Sequence, residues 1–314
     1  MDVAEGVLAG DPRAIARAIS MVEDGDDDLP ALSAALFPRT GRAWTVGLTG
    51  SPGVGKSTLA GALVRSARAV DERVAVLAID PTSPFTGGAL LGDRLRMQEH
   101  ATDPGVFIRS MATRGHLGGM ALAAPEAVRI LDAAGHDLVI VETVGVGQAE
   151  VDVAAATDTT LVVVAPGWGD AVQVAKAGIL EIADVFVVNK ADREGASTAV
   201  RDLEAMLHLG EPTPWTPPVV AVSAADGAGI DELRAAIARH RAHLEADALV
   251  APLRRTRLLR EVEALAAEGL RRALRARLEE HPELGDALVA RRVDPYAAAA
   301  VLGAAVASPA ADGG

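Results

Sequence analysis

The sequence predicts an α/β protein with a doubly wound, mostly parallel sheet, a helical segment before the sheet and a helical arm after it. Between residues 44 and 222, short apolar runs recur, each followed by helix-like sequence. The runs are continuous and β-branched instead of alternating with polar residues, as in parallel strands buried on both faces. Strand–helix alternation of this kind favours a doubly wound sheet. The predicted strands are 44–48, 74–79, 106–108, 138–141, 161–164, 185–188 and 219–222.

The first 40 residues form the predicted helical lead. Between residues 12 and 22, one face of a helix would carry Ile15, Ala18, Ile19 and Val22. The acidic run 23–28 reads as a solvated loop that closes this helix. We therefore expect three parts: an N-terminal helical segment at 1–40, the sheet domain at 41–246 and a C-terminal helical arm at 247–314.

The C-terminal arm is predicted from long helical patterns. Turn signals at 226–229 precede a helix at about 230–245, and 254–280 reads as one long helix that Pro282 stops. An Ala-rich helix follows at 295–306. An interrupted apolar stripe runs along the long helix through Leu258, Val262, Leu265, Leu270, Leu274 and Leu278.

Arginine is concentrated in the same part of the chain. Two interpretations stay open: a solvated basic face on a packed helix, or an arm for dimerisation or partner docking. The arginines concerned are Arg254, Arg255, Arg257, Arg260, Arg271, Arg272, Arg275, Arg277, Arg291 and Arg292.

Composition excludes several classes of function. The 314 residues include no cysteine, which rules out disulfides, thiolate metal ligands and cysteine nucleophiles. The formal net charge of −13 argues against general affinity for nucleic acid or acidic membranes. No run of about 18 uncharged apolar residues predicts a membrane span. The acidic N-terminus lacks the order of a secretion signal, so we expect a cytoplasmic protein without an organelle-targeting extension.

A phosphate-binding loop follows the first predicted strand. It fits the pattern G-x-x-x-x-G-K-[ST] with Gly50, Ser51, Pro52, Gly53, Val54, Gly55, Lys56, Ser57 and Thr58. A strand leads into it and a helix-forming segment, 59–68, leaves it, as the motif requires. Lys56 is expected to reach the β- and γ-phosphates, and the Ser57 hydroxyl to bind Mg²⁺. The alternative, an ordinary glycine-rich turn, does not explain the lysine, the serine and the context together.

A guanine-binding motif follows the predicted strand at 185–188. In Asn189-Lys190-Ala191-Asp192, the carboxylate of Asp192 can accept hydrogen bonds from N1–H and the 2-amino group of guanine. Adenine lacks both donors, and losing two charged hydrogen bonds of about 1.5–3 kcal/mol each predicts discrimination of several hundredfold or more. Asn189 would brace the loop and Lys190 would lie over the ring. A second guanine loop is expected at Ser223, Ala224 and Ala225. Alone, the tetrapeptide could be any solvated turn.

The metal site is expected where the strand at 138–141 runs into Glu142-Thr143-Val144-Gly145. Many GTPases have Asp-x-x-Gly here, with the acid holding Mg²⁺ and the glycine amide meeting the γ-phosphate. Glu142 can take the same role with a longer side chain, and Gly145 is the expected amide. We therefore expect a P-loop GTPase domain that binds GTP or GDP together with Mg²⁺. Lys56 and Glu142 are the expected catalytic residues, and Ser57 and Glu142 are expected to bind the metal.

The residue that orients the attacking water is not determined by spacing. After the glycine, Ras-like proteins carry glutamine, but this chain carries Val146, which cannot orient water. Asp80 ends the strand at 74–79, and Asp93 lies in a glycine-rich segment. One can orient the water while the other binds Mg²⁺, or each can be a helix cap or loop anion. Gln148 is a weaker third candidate.

These segments resemble the MeaB/ArgK family of G-protein chaperones, which includes the methylmalonic aciduria type A protein. A generic GTPase would not share the middle segments, so these indicate the subfamily. The resemblance lies in 50–58, in 80–88 (DPTSPFTGG), in 91–97 (LGDRLRM), in 109–115 (RSMATRG), in 142–148, in 169–184 and in 189–192.

The resemblance implies a partner and a purpose. Members of this family bind an adenosylcobalamin-dependent acyl-CoA mutase, usually methylmalonyl-CoA mutase, and GTP hydrolysis gates cofactor loading and release of damaged cofactor. They form homodimers through a C-terminal helical extension. Their third mobile segment matches 169–176, where Asp170, Gln173 and Lys176 would respond to nucleotide and partner. No cobalamin bound directly by this chain is expected, and the mutase's acyl-CoA substrate stays open.

Two other functions compete with this reading. Nickel-insertion GTPases have a similar nucleotide core but carry metal with Cys or His clusters, and here only His240 and His243 are close in sequence. A small-molecule kinase would use the same phosphate loop but would transfer phosphate to an acceptor and would use ATP. Equal competition by ATP and GTP would contradict the guanine assignment.

Overall fold

A computed structural model describes residues 2–80, 100, 102–112, 120–143, 153, 155–167, 179–209 and 213–307. The chain divides into two compact units, Met1–Arg257 and Leu258–Gly314. The three-part division at residues 40 and 246 stays a prediction. Within the described ranges, every helix is too short or too polar to cross a membrane.

Each apolar run of the sequence is a strand, and the predicted fold class is confirmed. The seven strands form one sheet in the order β3-β2-β4-β1-β5-β6-β7, and every neighbouring pair is parallel. They are β1 (Trp44–Thr49), β2 (Val74–Asp80), β3 (Val106–Ala112), β4 (Leu138–Thr143), β5 (Thr159–Val164), β6 (Val185–Asn189) and β7 (Val219–Val222).

The centre of the sheet explains where a ligand can bind. All residues of β1, β5 and β6 are buried, because helices cover both faces of these strands. The chain runs outward from β1 to β2 and β3, returns to β4, and then continues on the other side with β5. In open α/β sheets, ligands bind beyond the carboxyl ends of the strands where the strand order reverses in this way.

The described residues also form α-helices. They are α1 (Val3–Leu8), α2 (Pro12–Asp24), α3 (Leu29–Leu36), α4 (Lys56–Arg68), α5 (Met120–Ala133), α6 (Ala196–Leu209), α7 (Ile230–Ala246), α8 (Val250–Glu280), α9 (Pro282–Val289) and α10 (Pro295–Ala307). Two begin earlier than predicted: α4 begins at Lys56, and α8 begins at Val250. Pro282 does follow the end of the long helix, but it also opens a further short helix, since proline is tolerated in a first helical turn.

Helix α2 buries the predicted face of Ile15, Ala18, Ile19 and Val22. Asp11 caps its start by accepting a hydrogen bond from the Arg13 amide, and left-handed Gly25 ends it. The acidic run is not wholly a solvated loop, because its first two residues belong to the helix. Glu23 pairs with Arg109 of β3 at 2.5 Å and thereby ties the helix to the edge strand.

Two of the clustered arginines anchor the beginning of α8 to the sheet. Asp158, just before β5, is 3% exposed and lies 2.7 Å from Nη2 of Arg254 and 2.8 Å from Nη1 of Arg257. Its carboxylate also accepts from the Thr45 amide at 3.1 Å. Burial opposes ionisation of Asp158, but the hydrogen bonds and charges of the two guanidinium groups outweigh it and keep its pKa below the usual value. For these two arginines the solvated interpretation is wrong.

A chain of polar side chains lies beside this anchor, at the amino ends of β1, β5 and β6; Trp44, Thr159 and His240 are buried and Asp184 is half-buried. The Trp44 indole donates to the Thr159 hydroxyl at 3.0 Å, and that hydroxyl lies 3.0 Å from Nδ1 of His240. Because the Asp184 carboxylate that faces Nε2 can only accept, the neutral imidazole carries its proton on Nε2, and Nδ1 accepts from the Thr159 hydroxyl. The proton on Nε2 then faces the Asp184 carboxylate at 3.3 Å. Burial lowers the pKa of His240 to about 4 and raises the pKa of Asp184 to about 6.

Candidate nucleotide-binding site

The phosphate loop lies at the carboxyl end of β1, between that strand and the first turn of α4. Gly50 has φ +136°, and a Cβ atom there would lie 2.1 Å from the carbonyl oxygen of Val163 in β5. Gly55, with φ +97°, has a similar constraint, since its Cβ would lie 2.5 Å from Nδ2 of Asn189. Both positions therefore require glycine for backbone conformation and for space.

Lys56 opens α4 and folds back over the loop. Its Nζ donates to the carbonyl oxygens of Gly50 at 2.5 Å and Ser51 at 3.2 Å, and only 7% of the residue is exposed. The ammonium group is thus held within the curve of the loop, next to the positive end of a helix. This is where a phosphate chain would find the amides, the helix dipole and one cation together.

Ser57 and Glu142 meet beside the loop. Glu142 lies in β4 and is paired in register with Leu48 of β1, so it reaches the same edge of the sheet as the loop. The Ser57 hydroxyl donates to Oε1 of Glu142 at 2.6 Å, and both residues are buried. A hydroxyl and a carboxylate are hard oxygen ligands, and Mg²⁺ typically takes one or two such groups together with phosphates and waters. The pair therefore fits a magnesium ion that arrives with a nucleotide.

Asn189 connects the phosphate loop with the second guanine loop. It ends β6, is buried, and donates through Nδ2 to the carbonyl oxygens of Val54 at 2.8 Å and Gly55 at 3.4 Å. Its Oδ1 accepts from the amides of Lys190 at 2.8 Å and Ala224 at 3.2 Å. One side chain thus joins three segments that are distant in sequence.

Lys190 adds a second connection. It has φ +58°, an uncommon conformation for a residue with a side chain. Its Nζ donates to the Gly53 carbonyl oxygen at 2.6 Å. The aliphatic stem of Lys190 therefore crosses from the guanine motif to the phosphate loop.

The predicted base-reading residues are Asp192 and the loop after β7. Asp192 is exposed, so its carboxylate is accessible to a ligand, and Ser223 is buried beneath it. The Ser223 hydroxyl oxygen lies 3.2 Å from Oδ1 of Asp192 and 2.8 Å from Oδ2 of Asp226. Ala224 is buried and held by Asn189, whereas Ala225 is exposed.

Several predicted site residues cannot be placed. Asp80 ends β2 at the carboxyl edge of the sheet, but only its backbone is described. The residues outside the described ranges are Asp93, Gly145, Val146, Gln148, Asp170, Gln173 and Lys176. The roles assigned to them, and the choice between Asp80 and Asp93, stay predictions.

Two features of the site were not predicted from the sequence. Asp226 was recognised only as part of a turn signal, although it is three residues after Ser223, a spacing at which a turn brings side chains together. The contact of Lys190 with Gly53 has no signal in sequence, because it depends on the left-handed conformation of Lys190.

Comparisons with known proteins agree on one family. The sequence pattern of the family "Methylmalonyl Co-A mutase-associated GTPase MeaB" matches residues 15–279. A protein of Pyrococcus horikoshii whose name assigns it GTPase activity is 47% identical over 302 residues, which are 95% of each chain. GTPase ArgK of Escherichia coli is 40% identical and is aligned over 73% of this chain and 72% of its own.

A solved structure resembles the whole chain. The crystal structure of a protein titled "LAO/AO transport system kinase" superposes with a TM-score of 0.71 and 27% sequence identity. The superposition covers 98% of this chain and 97% of the other.

Proposed function

This chain belongs to the family of methylmalonyl-CoA mutase-associated GTPases, MeaB, and is a GTPase; we propose that it is a chaperone of an adenosylcobalamin-dependent acyl-CoA mutase. GTP binding and hydrolysis would gate the loading and protection of the mutase cofactor. The observation that carries the proposal is the meeting of a phosphate loop, an oxygen pair for Mg²⁺ and a guanine-reading edge at one end of the sheet. The family match covers that whole region.

The geometry of the site supports nucleotide binding. The phosphates would bind the loop amides and the ammonium group of Lys56, which donates to the carbonyl oxygens of Gly50 and Ser51. The base would stack along the Lys190 stem and donate two hydrogen bonds to Asp192. Asn189 keeps the two halves of the site in register, so the loop needs little rearrangement when GTP arrives.

Ser57 and Glu142 would hold Mg²⁺, which neutralises charge on the phosphates as the γ-phosphoryl group departs. Their contact at 2.6 Å keeps the Glu142 carboxylate pointed at the loop. Glu142 is 2% exposed, so water competes little for it.

Hydrolysis is proposed to be slow until a partner binds. Val146 cannot orient water, and Asp80 and Asp93 remain the candidates for that role. A mutase that ordered either carboxylate over the γ-phosphate would accelerate hydrolysis, in the way that a partner residue supplied in trans accelerates other GTPases. Asp170, Gln173 and Lys176 are the proposed responders to the partner.

The C-terminal arm is proposed to dimerise. In the single chain the apolar stripe of α8 is largely exposed, with Val262 61% and Leu270 51% accessible to solvent. An apolar stripe of this length on a helix is normally covered by another helix. A second copy of the arm would supply that cover.

The two rival functions predict different behaviour. The solved structure titled a transport system kinase is of this fold, so phosphoryl transfer to a small acceptor is a second candidate. Asp192 argues against it, because adenine has neither an N1–H nor a 2-amino group to donate to that carboxylate. In the part of the chain that the structure describes, no group of three or more His, Asp or Glu side chains could hold a metal ion, which gives the nickel-chaperone function no support.

The test is a pull-down from the cell extract of the source organism, followed by a GTPase assay with the recovered partner. Recovery of an acyl-CoA mutase that accelerates GTP hydrolysis is the expected result. Lys56→Ala, which should lose nucleotide binding, is the control for contaminating GTPases. If no acyl-CoA mutase were recovered, or if the recovered mutase did not change the rate of GTP hydrolysis, the chaperone role would be wrong. The assignment as a GTPase would still hold.

A further inference from the structure

The hydroxyl group of Ser223 faces two carboxylates but has one proton. Its oxygen lies 2.8 Å from Oδ2 of Asp226 and 3.2 Å from Oδ1 of Asp192. Carboxylates accept hydrogen bonds and cannot donate them when ionised, so Ser223 can satisfy only one of the two at a time. The shorter distance favours Asp226.

The loop after β7 holds Asp226 in this position. The Ser223 amide donates to the Ala228 carbonyl oxygen at 2.9 Å, and the Gly227 amide donates to the Ser223 carbonyl oxygen at 2.8 Å. These bonds close a tight turn that returns the Asp226 side chain over Ser223. Ser223 itself is 4% exposed, so solvent cannot readily replace either carboxylate as its partner.

We propose that Asp226 competes with Asp192 for the Ser223 proton and thereby weakens guanine nucleotide binding and speeds its release. Asp226 is a positioning residue, because it acts on the base through Ser223 and Asp192. The inference rests on the proposed binding of guanine to Asp192 and adds a residue that tunes the affinity of that site.

The effect follows from how guanine is read. Asp192 must present both oxygens to N1–H and the 2-amino group, and a hydrogen bond from Ser223 to Oδ1 would hold it in that orientation. While Ser223 donates to Asp226, Asp192 is exposed and has to be ordered by the nucleotide itself, at a cost in affinity. Without Asp226, the proton turns to Asp192 and the carboxylate is ordered in advance.

The experiment measures the affinity and dissociation rate of GDP with Mg²⁺ for the full chain and four variants. Calorimetry gives the affinity, and displacement of a fluorescent GDP analogue by excess GDP gives the rate. The variants are Asp226→Ala, Ser223→Ala, the double variant and Asp231→Ala. Asp231 is an exposed acid in the first turn of α7, so its variant removes the same charge nearby and leaves the Ser223 hydroxyl with both of its carboxylate partners.

Asp226→Ala should bind GDP about threefold to tenfold more tightly and release it correspondingly more slowly, the worth of one hydrogen bond. Asp231→Ala should match the unsubstituted chain. In the Ser223→Ala background, removal of Asp226 should change affinity by less than about twofold, since no proton is left to redirect. Thermal unfolding of each variant shows whether the loop substitution leaves the fold intact.

Two results would overturn the inference while the proposed function stands. One is unchanged or weaker GDP binding by Asp226→Ala. The other is that Asp226→Ala raises GDP affinity equally in the presence and absence of Ser223, which would assign the effect to the lost charge and not to the Ser223 proton. Failure of the unsubstituted chain to bind GDP would overturn both this inference and the guanine assignment.

Discussion

Replacing Asp158 with asparagine tests the anchor of α8 to the sheet, and its consequence can be worked out from the contacts. Asp158→Asn keeps the shape of the side chain but removes the charge that faces Arg254 and Arg257, at 2.7 and 2.8 Å. Two partly buried guanidinium groups would lose the buried carboxylate that balances their charge. Breaking a buried pair from one side typically lowers the free energy of unfolding by about 3–5 kcal/mol. For a unit of this size that corresponds to a fall in melting temperature on the order of 10 °C.

The assay is urea unfolding of the full chain, followed by tryptophan fluorescence, with melting temperatures as a second readout. Glu245→Gln is the matched control, because Arg241 and Glu245 form a half-exposed pair at 2.8 Å and such pairs contribute less than about 1 kcal/mol. Adding Arg257→Met to Asp158→Asn should recover about 1 kcal/mol or more, since one uncompensated cation is removed. If Asp158→Asn were no less stable than the control, the anchoring argument would be refuted.

Three further predictions concern the site and the buried polar chain. Gly50→Ala should lose measurable GTP binding in calorimetry, because the new methyl group would collide with the Val163 carbonyl at 2.1 Å; retained affinity would contradict the loop geometry. Asp192→Asn should lose GTP affinity at least tenfold and gain affinity for XTP, whose base carries an oxygen in place of the 2-amino group; unchanged preference would refute the guanine assignment. In His240→Gln, where Asp184 titrates alone with a pKa near 6, the free energy of unfolding should rise by about 2 kcal/mol as pH falls from 7 to 4. In Asp184→Asn the free energy of unfolding should fall by a similar amount as pH falls from 6.5 to 4. The reason is that folded His240, with a pKa near 4, resists the proton that the unfolded chain accepts. Identical pH profiles of the two variants would contradict both pKa assignments.

The sheet could be predicted from the sequence because its strands lie in the middle of a two-sided core. A strand such as Leu161–Val164 is apolar at every position, and that pattern has few alternatives. The buried face of α2 was predictable for the same reason, since periodicity reports burial directly. The phosphate loop and the guanine motif could be proposed from the sequence because their chemistry requires particular residues at particular spacings.

Contacts between charged or polar side chains were not predictable in this way. Asp158 and Arg254 are 96 residues apart, and nothing periodic marks either one. The same holds for the chain from Trp44 to Asp184, which exists only because three strands place their amino ends together and α7 brings His240 to them. Asp226 was visible as a turn residue, but its competition for the Ser223 proton depends on the path of that turn.

The measurement that tests the central claim most directly is GTP turnover with and without a purified adenosylcobalamin-dependent acyl-CoA mutase. The account predicts slow hydrolysis of GTP by the chain alone, at least a tenfold acceleration by saturating mutase, and no comparable turnover of ATP. Lys56→Ala should show neither the basal nor the stimulated rate. Mutase that left the GTPase rate unchanged would contradict the proposed chaperone function, and equal turnover of ATP would contradict the guanine-reading role of Asp192.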